Sequence, residues 1–261
     1  MMSDRNFDDL SHKFRRKIYA SPKGIIRLAI VWEDLITALP DLTSKPLRVL
    51  DVGSGIGQIS LALAKLGHEL VLCDHSNEML TLAKEQFKTE APDAKVTFIH
   101  SPIQQLTREI EGQFDLVLCH AILEWLATPR ATLSDIVSFC KPNGHLSLLF
   151  YNVHGLIYFN LVKGNLRKVA AANFQGDANS LTPTHPQNPY EVVQWLAALG
   201  FNPRIKSGVR VFHDLMRPEI RAERSMEDIL ALEQQFARQE PYCYLGRYFH
   251  MVCAREGTFE K

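Results

Sequence analysis

The chain has 261 residues, in which 29 Lys and Arg balance 29 Asp and Glu. That length suits one large α/β domain, alone or with a small cap, and an apolar share of 46% is ample for a core. Zero formal charge gives no global pull toward nucleic acid, no apolar run is long enough for a membrane span, and MMSDRNFDDL lacks a signal peptide's apolar stretch. Cys73, Cys119, Cys140, Cys243 and Cys253 are odd in number and contain no CxxC pair. A reduced, cytoplasmic protein without disulfides or structural zinc is the expectation.

Residues 1–40 read as helical, with a break near Ser21-Pro22-Lys23-Gly24. Strand and helix signals then alternate. LRVLDVG (47–53) is a strand, QISLALAKLG (58–67) a helix closed by Gly67, and HELVLCD (68–74) a strand. Ser76 caps the helix NEMLTLAKEQFKTE, and KVTFIH (95–100) and FDLVLCH (114–120) are strands. PRATLSDIVSFCK (129–141) is a helix stopped by a turn at Pro142-Asn143-Gly144, and HLSLLFYN (145–152) is a fifth strand. This alternation predicts a parallel, doubly wound sheet. After Asn152 come a helical piece and a polar loop, a helix over 189–201, a strand over 202–212, a helix over 225–240 and a last strand over 246–256. The expected whole is one domain, 1–261, with seven strands, a helical cap at 1–40, and helical or loop insertions at 153–188 and 213–245. These extras are placed over the carboxyl ends of the strands, where open α/β sheets bind ligands.

The first strand runs into Asp51-Val52-Gly53-Ser54-Gly55-Ile56-Gly57. Glycines in a strand-to-helix turn let the backbone bend tightly and let a ligand approach without a Cβ in the way. A dinucleotide fingerprint counted from Gly53 needs glycine or alanine at position 58, where Gln58 stands. Asp51 instead favours a ligand carrying positive charge. Asp74 closes the second strand, where a carboxylate can accept hydrogen bonds from a ribose diol.

Asp51, the three glycines and Asp74, with the later strands in order, resemble the cofactor site of class I S-adenosylmethionine-dependent methyltransferases. The resemblance implies a Rossmann-like, mostly parallel seven-stranded sheet with an antiparallel last strand, and S-adenosyl-L-methionine as cofactor. It implies that Gly53, Ser54 and Gly55 wrap the amino-acid part of the cofactor, that Asp74 holds the ribose, and that His120 closes over the cofactor near its sulfonium. The slot where many relatives carry Asp-Ala against the adenine is Pro102-Ile103 here, leaving apolar packing by Ile103. His120 and Glu124 have the spacing of a metal pair but no third ligand nearby, so no metal is expected.

RNFDDLSHKFRRKIYASPKGIIRLAIVWEDL, FYNVHGLIYFNLVKGN, LTPTHPQNPYEVVQWL, SGVRVFHD and QEPYCYLGRYFHMVCARE resemble the bacterial tRNA 5-carboxymethoxyuridine methyltransferase family over nearly the whole chain. That family esterifies the carboxylate of 5-carboxymethoxyuridine at the tRNA wobble position. The likeness implies that Arg27 reaches the cofactor. Between Leu10 and Ile30 stand Lys13, Arg15, Arg16, Lys17, Lys23 and Arg27 and no acid, which suits a phosphate-rich partner. Lys163, Arg167, Lys168, Arg204, Lys206 and Arg210 are candidates to extend that surface, and Tyr19, Tyr151 and Phe212 to stack a base. A carboxylate is already ionised at neutral pH, so its methylation needs no general base. What is needed is an anchor, and Tyr151, Arg210, His213 and Arg247 are the candidates, with one cation and neutral donors expected. The competing readings are a methyltransferase acting on a small metabolite and a non-catalytic S-adenosylmethionine-binding regulatory protein.

Overall fold

The computed structural model describes residues 21–172, 183 and 185–255. Lys13, Arg15, Arg16, Lys17 and Tyr19 lie outside the described residues. Seven strands, β1 (Arg48–Val52), β2 (Glu69–Asp74), β3 (Val96–His100), β4 (Phe114–His120), β5 (Cys140–Tyr151), β6 (Phe201–Val209) and β7 (Tyr248–Arg255), form one sheet in the order β3-β2-β1-β4-β5-β7-β6. The first five run parallel, and β7 lies antiparallel to both β5 and β6. The winding direction reverses beside β1, between β2 and β4, which opens a crevice at the carboxyl ends of these strands.

The central strands are near-continuous apolar runs because both faces of the sheet are covered. Alternation along each strand divides the core in two. Leu50, Val52, Val117, Cys119, Leu146, Leu148 and Phe150 face one way, toward α5 (Pro129–Ser138) and α8 (Pro189–Ala198). Val49, Leu70, Leu72, Leu116, Leu118 and Leu149 face the other, toward α1 (Pro22–Ala38), α2 (Gln58–Lys65) and α3 (Asn77–Glu90). α1 starts where Ser21 accepts a hydrogen bond from the Gly24 amide with Pro22 in the first turn, and it buries Ile26, Ile30, Val31, Asp34 and Leu35. Ser76 caps α3 by accepting from the Met79 amide. The remaining helices are α4 (Leu106–Glu109), α6 (Val153–Val162), α7 (Leu166–Ala170), α9 (Pro218–Ala222) and α10 (Met226–Ala237).

Besides helix ends that fall up to three residues short, at Ala198 and Ala237, two boundaries differ from the sequence reading for a local backbone reason. The segment Pro142-Asn143-Gly144 is no turn between helix and strand: α5 stops at Ser138, Cys140 already pairs with Phe114, and the register shifts before Leu116 meets His145. The extra residues are absorbed as an irregularity in β5, with Asn143 in the left-handed region at φ 62°. The strand expected to reach Phe212 ends at Val209, because Arg210 also turns left-handed, at φ 62°. All five cysteines are free and buried.

Candidate functional site

A cavity of about 800 Å³ opens at the carboxyl ends of β1, β2 and β4, and α1, α6 and the segment after β6 complete its sides. Gly53, Gly55 and Gly57 all have left-handed φ, of 66°, 56° and 69°, which only glycine adopts without strain. The loop is tied down from both sides. The Ser54 amide donates to Cys73 O at 3.0 Å, and the Gly55 amide donates to Asp74 Oδ2 at 2.7 Å. The other oxygen, Asp74 Oδ1, accepts from the Ser76 amide at 2.8 Å, so the carboxylate is fixed at the mouth of the glycine turn.

Several features suit S-adenosylmethionine here. Ser54 Oγ and Gln58 Oε1 are enclosed without a hydrogen-bond partner, although both residues line the cavity. Asp51 is buried and accepts from Ser60 Oγ at 2.6 Å; burial pushes its pKa up to about 7 against the pull of that bond. A cation arriving in the cavity therefore draws out the ionised form. Opposite stands His120, whose pKa lies well below the ordinary imidazole value, above all through burial, with the charge of Arg27 adding to it. It is neutral at physiological pH, which spares an incoming cation from repulsion. Arg27, Gly53, Ser54, Gly55, Asp74 and His120 all line the cavity, whereas Ile103 does not; it packs partly buried against the core.

The far end of the cavity is cationic. Asp214 sits among Arg247, whose Nε lies at 3.1 Å, Arg210 at 3.6 Å and Lys23 at 3.9 Å, and His213 Nδ1 donates to it at 3.0 Å. Burial alone raises the Asp214 pKa, but the His213 bond and the charges of Arg210, Lys23 and Arg247 outweigh it, holding the carboxyl well below the usual range. Arg247 lies over the Phe159 ring at 3.8 Å and donates to Tyr151 Oη at 3.1 Å. The segment carrying His213 is fixed by buried Glu233 on α10, which accepts from the amides of Val211, Phe212 and His213. Tyr151, Arg210, His213 and Arg247 are thus brought together, with more positive charge than the single cation expected.

Lys168 on α7 joins the cavity, but Arg204 lines a groove at the opposite end of β5 and β7, and Lys206 donates to Tyr244 Oη. Phe212 packs partly buried against the core. Sequence reasoning missed Asp214 and Arg221, which also line the cavity, although Asp214 directly follows His213 in the quoted SGVRVFHD. It also missed that Glu124 is fully buried. Among the described residues no group of three or more His, Cys, Asp or Glu is placed to hold a metal ion.

The chain resembles known methyltransferases. A family model described as a methyltransferase domain matches residues 50–148, the part that carries the glycine turn and His120. Over 260 residues, spanning the whole of both chains, the sequence is 41% identical to the tRNA 5-carboxymethoxyuridine methyltransferase of Escherichia coli strain K12. It is 30% identical over 118 residues to the ubiquinone biosynthesis O-methyltransferase of Proteus mirabilis, covering 45% of this chain and 47% of that one. Among solved structures, magnesium protoporphyrin IX methyltransferase from Synechocystis PCC 6803 with bound SAH superposes with a TM-score of 0.62 at 17% identity, over 96% of both chains. On the full-length match to the first of these relatives the chain belongs to the tRNA 5-carboxymethoxyuridine methyltransferase family.

Proposed function

We propose that this protein methylates the carboxylate of 5-carboxymethoxyuridine at the wobble position of tRNA, using S-adenosyl-L-methionine. The observation that carries the reading is that one cavity holds the fastened glycine turn with Asp74 at one end and the cationic cluster around Asp214 at the other. Bound at the glycine turn, the cofactor supplies a methyl group activated by its sulfonium charge.

The chain's own part is to bind, orient and desolvate. Gly53, Ser54 and Gly55 present backbone to the amino-acid portion, Arg27 approaches it from α1, and Asp74 accepts from ribose hydroxyls. At the other end Arg247, Arg210, His213 and the Tyr151 hydroxyl receive the substrate carboxylate. An anchor that grips an anion too firmly slows the transfer, because the ester product is neutral and its oxygen loses charge on the way. Asp214 counters this by drawing Arg210 and Arg247 toward itself. Tyr151 Oη accepts from Arg247, so its own proton remains to donate to a substrate oxygen. Lys23 and Lys168 at the rim, with Lys13, Arg15, Arg16 and Lys17, meet the phosphates of the tRNA.

Transfer RNA lacking the ester, incubated with isotope-labelled S-adenosylmethionine and then digested, should yield labelled 5-methoxycarbonylmethoxyuridine in nucleoside mass analysis. Label in no tRNA nucleoside, or label transferred to small metabolites alone, refutes the assignment. Asp74→Ala should weaken cofactor binding in calorimetry by roughly 10-fold or more, since a charged acceptor is lost.

A further inference from the structure

Behind His120 a chain of buried polar side chains crosses the sheet toward α1. His120 Nε2 lies 2.8 Å from Ser147 Oγ, Ser147 Oγ lies 2.8 Å from His250 Nε2, and His250 Nδ1 lies 2.7 Å from Asp34 Oδ2. Ser147, His250 and Asp34 are completely buried. Asp34 Oδ1 accepts from Arg238 Nε and Nη2, at 2.8 and 2.6 Å, and from Ser207 Oγ at 2.9 Å. Arg238 in turn donates to Glu33. Six elements, α1, β4, β5, β6, β7 and the end of α10, place these groups across an otherwise apolar core. Packing alone does not call for them, since apolar side chains of similar volume fill a core at no cost in desolvation.

The donors and acceptors can be assigned from the charged end inward. Asp34 faces a guanidinium and a hydroxyl, all donors, so it is the ionised acceptor and His250 Nδ1 carries a proton. His250 is fully enclosed, and a second N–H on its ring would bury a further cation away from water, whereas one N–H suffices to meet Asp34. His250 Nε2 is then a lone pair and takes the Ser147 hydroxyl proton. Ser147 Oγ, having donated, accepts from His120, which fixes the His120 proton on Nε2. His120 Nδ1 is neither hydrogen-bonded nor enclosed among the described residues, so it opens onto the cavity that His120 lines.

We propose that Asp34, His250 and Ser147 are positioning residues that keep His120 as the neutral Nε2–H tautomer and present its Nδ1 lone pair to the positively charged part of the bound cofactor. The cofactor half of this inference rests on the function proposed above; the tautomer half does not. With the chain polarised the other way, His120 would turn an N–H toward a sulfonium or ammonium, and the contact would become repulsive.

Long-range proton–nitrogen NMR of the imidazole side chains reads the tautomers directly. In the ligand-free wild-type protein, His120 should show a pyrrole-type Nε2 and a pyridine-type Nδ1, and His250 the reverse. Ser147→Ala should turn the His120 signals into those of a tautomer mixture and raise the Kd for S-adenosylmethionine roughly 3- to 10-fold, the loss of one oriented hydrogen-bond acceptor. His250→Gln retains a donor for Asp34 and an acceptor for Ser147, and should keep both the tautomer and the affinity. A wild-type His120 protonated on Nδ1 overturns the inference, as does Ser147→Ala with unchanged tautomer or affinity, or His250→Gln that loses affinity while the tautomer holds. Should Ser147→Ala fail to fold, the wild-type spectrum and His250→Gln decide the matter. Wild-type protein that does not bind S-adenosylmethionine instead refutes the function, and leaves the tautomer to the spectrum.

Discussion

Glu124, in the short 3-10 turn Leu123–Trp125 that follows β4, is fully buried, and neither carboxylate oxygen makes a hydrogen bond of good geometry. Burial drives its pKa up to about 8, against weaker opposing pulls that include Arg27. A carboxyl whose folded pKa is raised holds a proton in the native state that the unfolded chain has already released. Its ionisation therefore erodes stability as pH climbs from the ordinary Glu value to about 8, and the loss is complete above that. Glu124→Gln, which mimics the protonated acid, should flatten the fall in melting temperature over that range. Above it the variant should be more stable than wild type by on the order of a few kcal/mol; parallel melting curves at acidic and alkaline pH would show otherwise. At this scale the sequence spoke unevenly. Gly53 and Asp74 could be read because turn and acid are joined by one short strand–helix–strand unit, whose chemistry is local. Asp34 meets His250 at a separation of 216 residues. The one local hint was an acid three residues after Val31 and next to Leu35, on the buried face of α1.

Elements were easier to foresee than the places where they touch. All seven strands were foreseen from the alternation of elements, and two of the misplaced boundaries fall at left-handed non-glycine residues: Arg210, which carries no composition signal, and Asn143, whose Pro-Asn-Gly setting reads as a turn although the sheet absorbs it as an irregularity. Nor was the close approach of three backbones legible. Gly155 on α6, Gly208 in β6 and Gly246 before β7 lie against one another and against the turn at Tyr242–Leu245, and a Cβ on Gly246 would stand 2.6 Å from Gly208 Cα. Asn152 seals the junction, its Nδ2 donating to Tyr244 O at 2.7 Å and to Gly246 O at 2.9 Å. The residue that follows is Arg247. Gly246→Ala should cost roughly 1–3 kcal/mol of stability, as overpacking against unyielding backbone does. By displacing Arg247 it should also lower kcat/KM for tRNA more than affinity for the cofactor. Equal losses in both, or none in chemical denaturation, would contradict this.

Across the whole molecule, 29 positive and 29 negative groups cancel, but they are not evenly spread. Lys13, Arg15, Arg16 and Lys17 precede a cavity whose far end already gathers Lys23, Arg210, Arg221 and Arg247. Converting Arg15, Arg16 and Lys17 to Glu should weaken tRNA binding and make it less steeply dependent on salt while cofactor affinity holds, because fewer counterions are released from the RNA. Titrations at several ionic strengths that gave the wild-type slope would exclude that stretch as a docking surface. The sheet order carries a consequence of another kind. β6 sits at the edge and β7, made after it, lies between β6 and β5, so β6 has nothing to pair with until the chain has been synthesised to its last strand. The glycine turn can form on a nascent chain, but Arg247 and His250 reach their places only once β7 has been made. Until then an emerging copy lacks the arginine that closes the cationic end of its cavity.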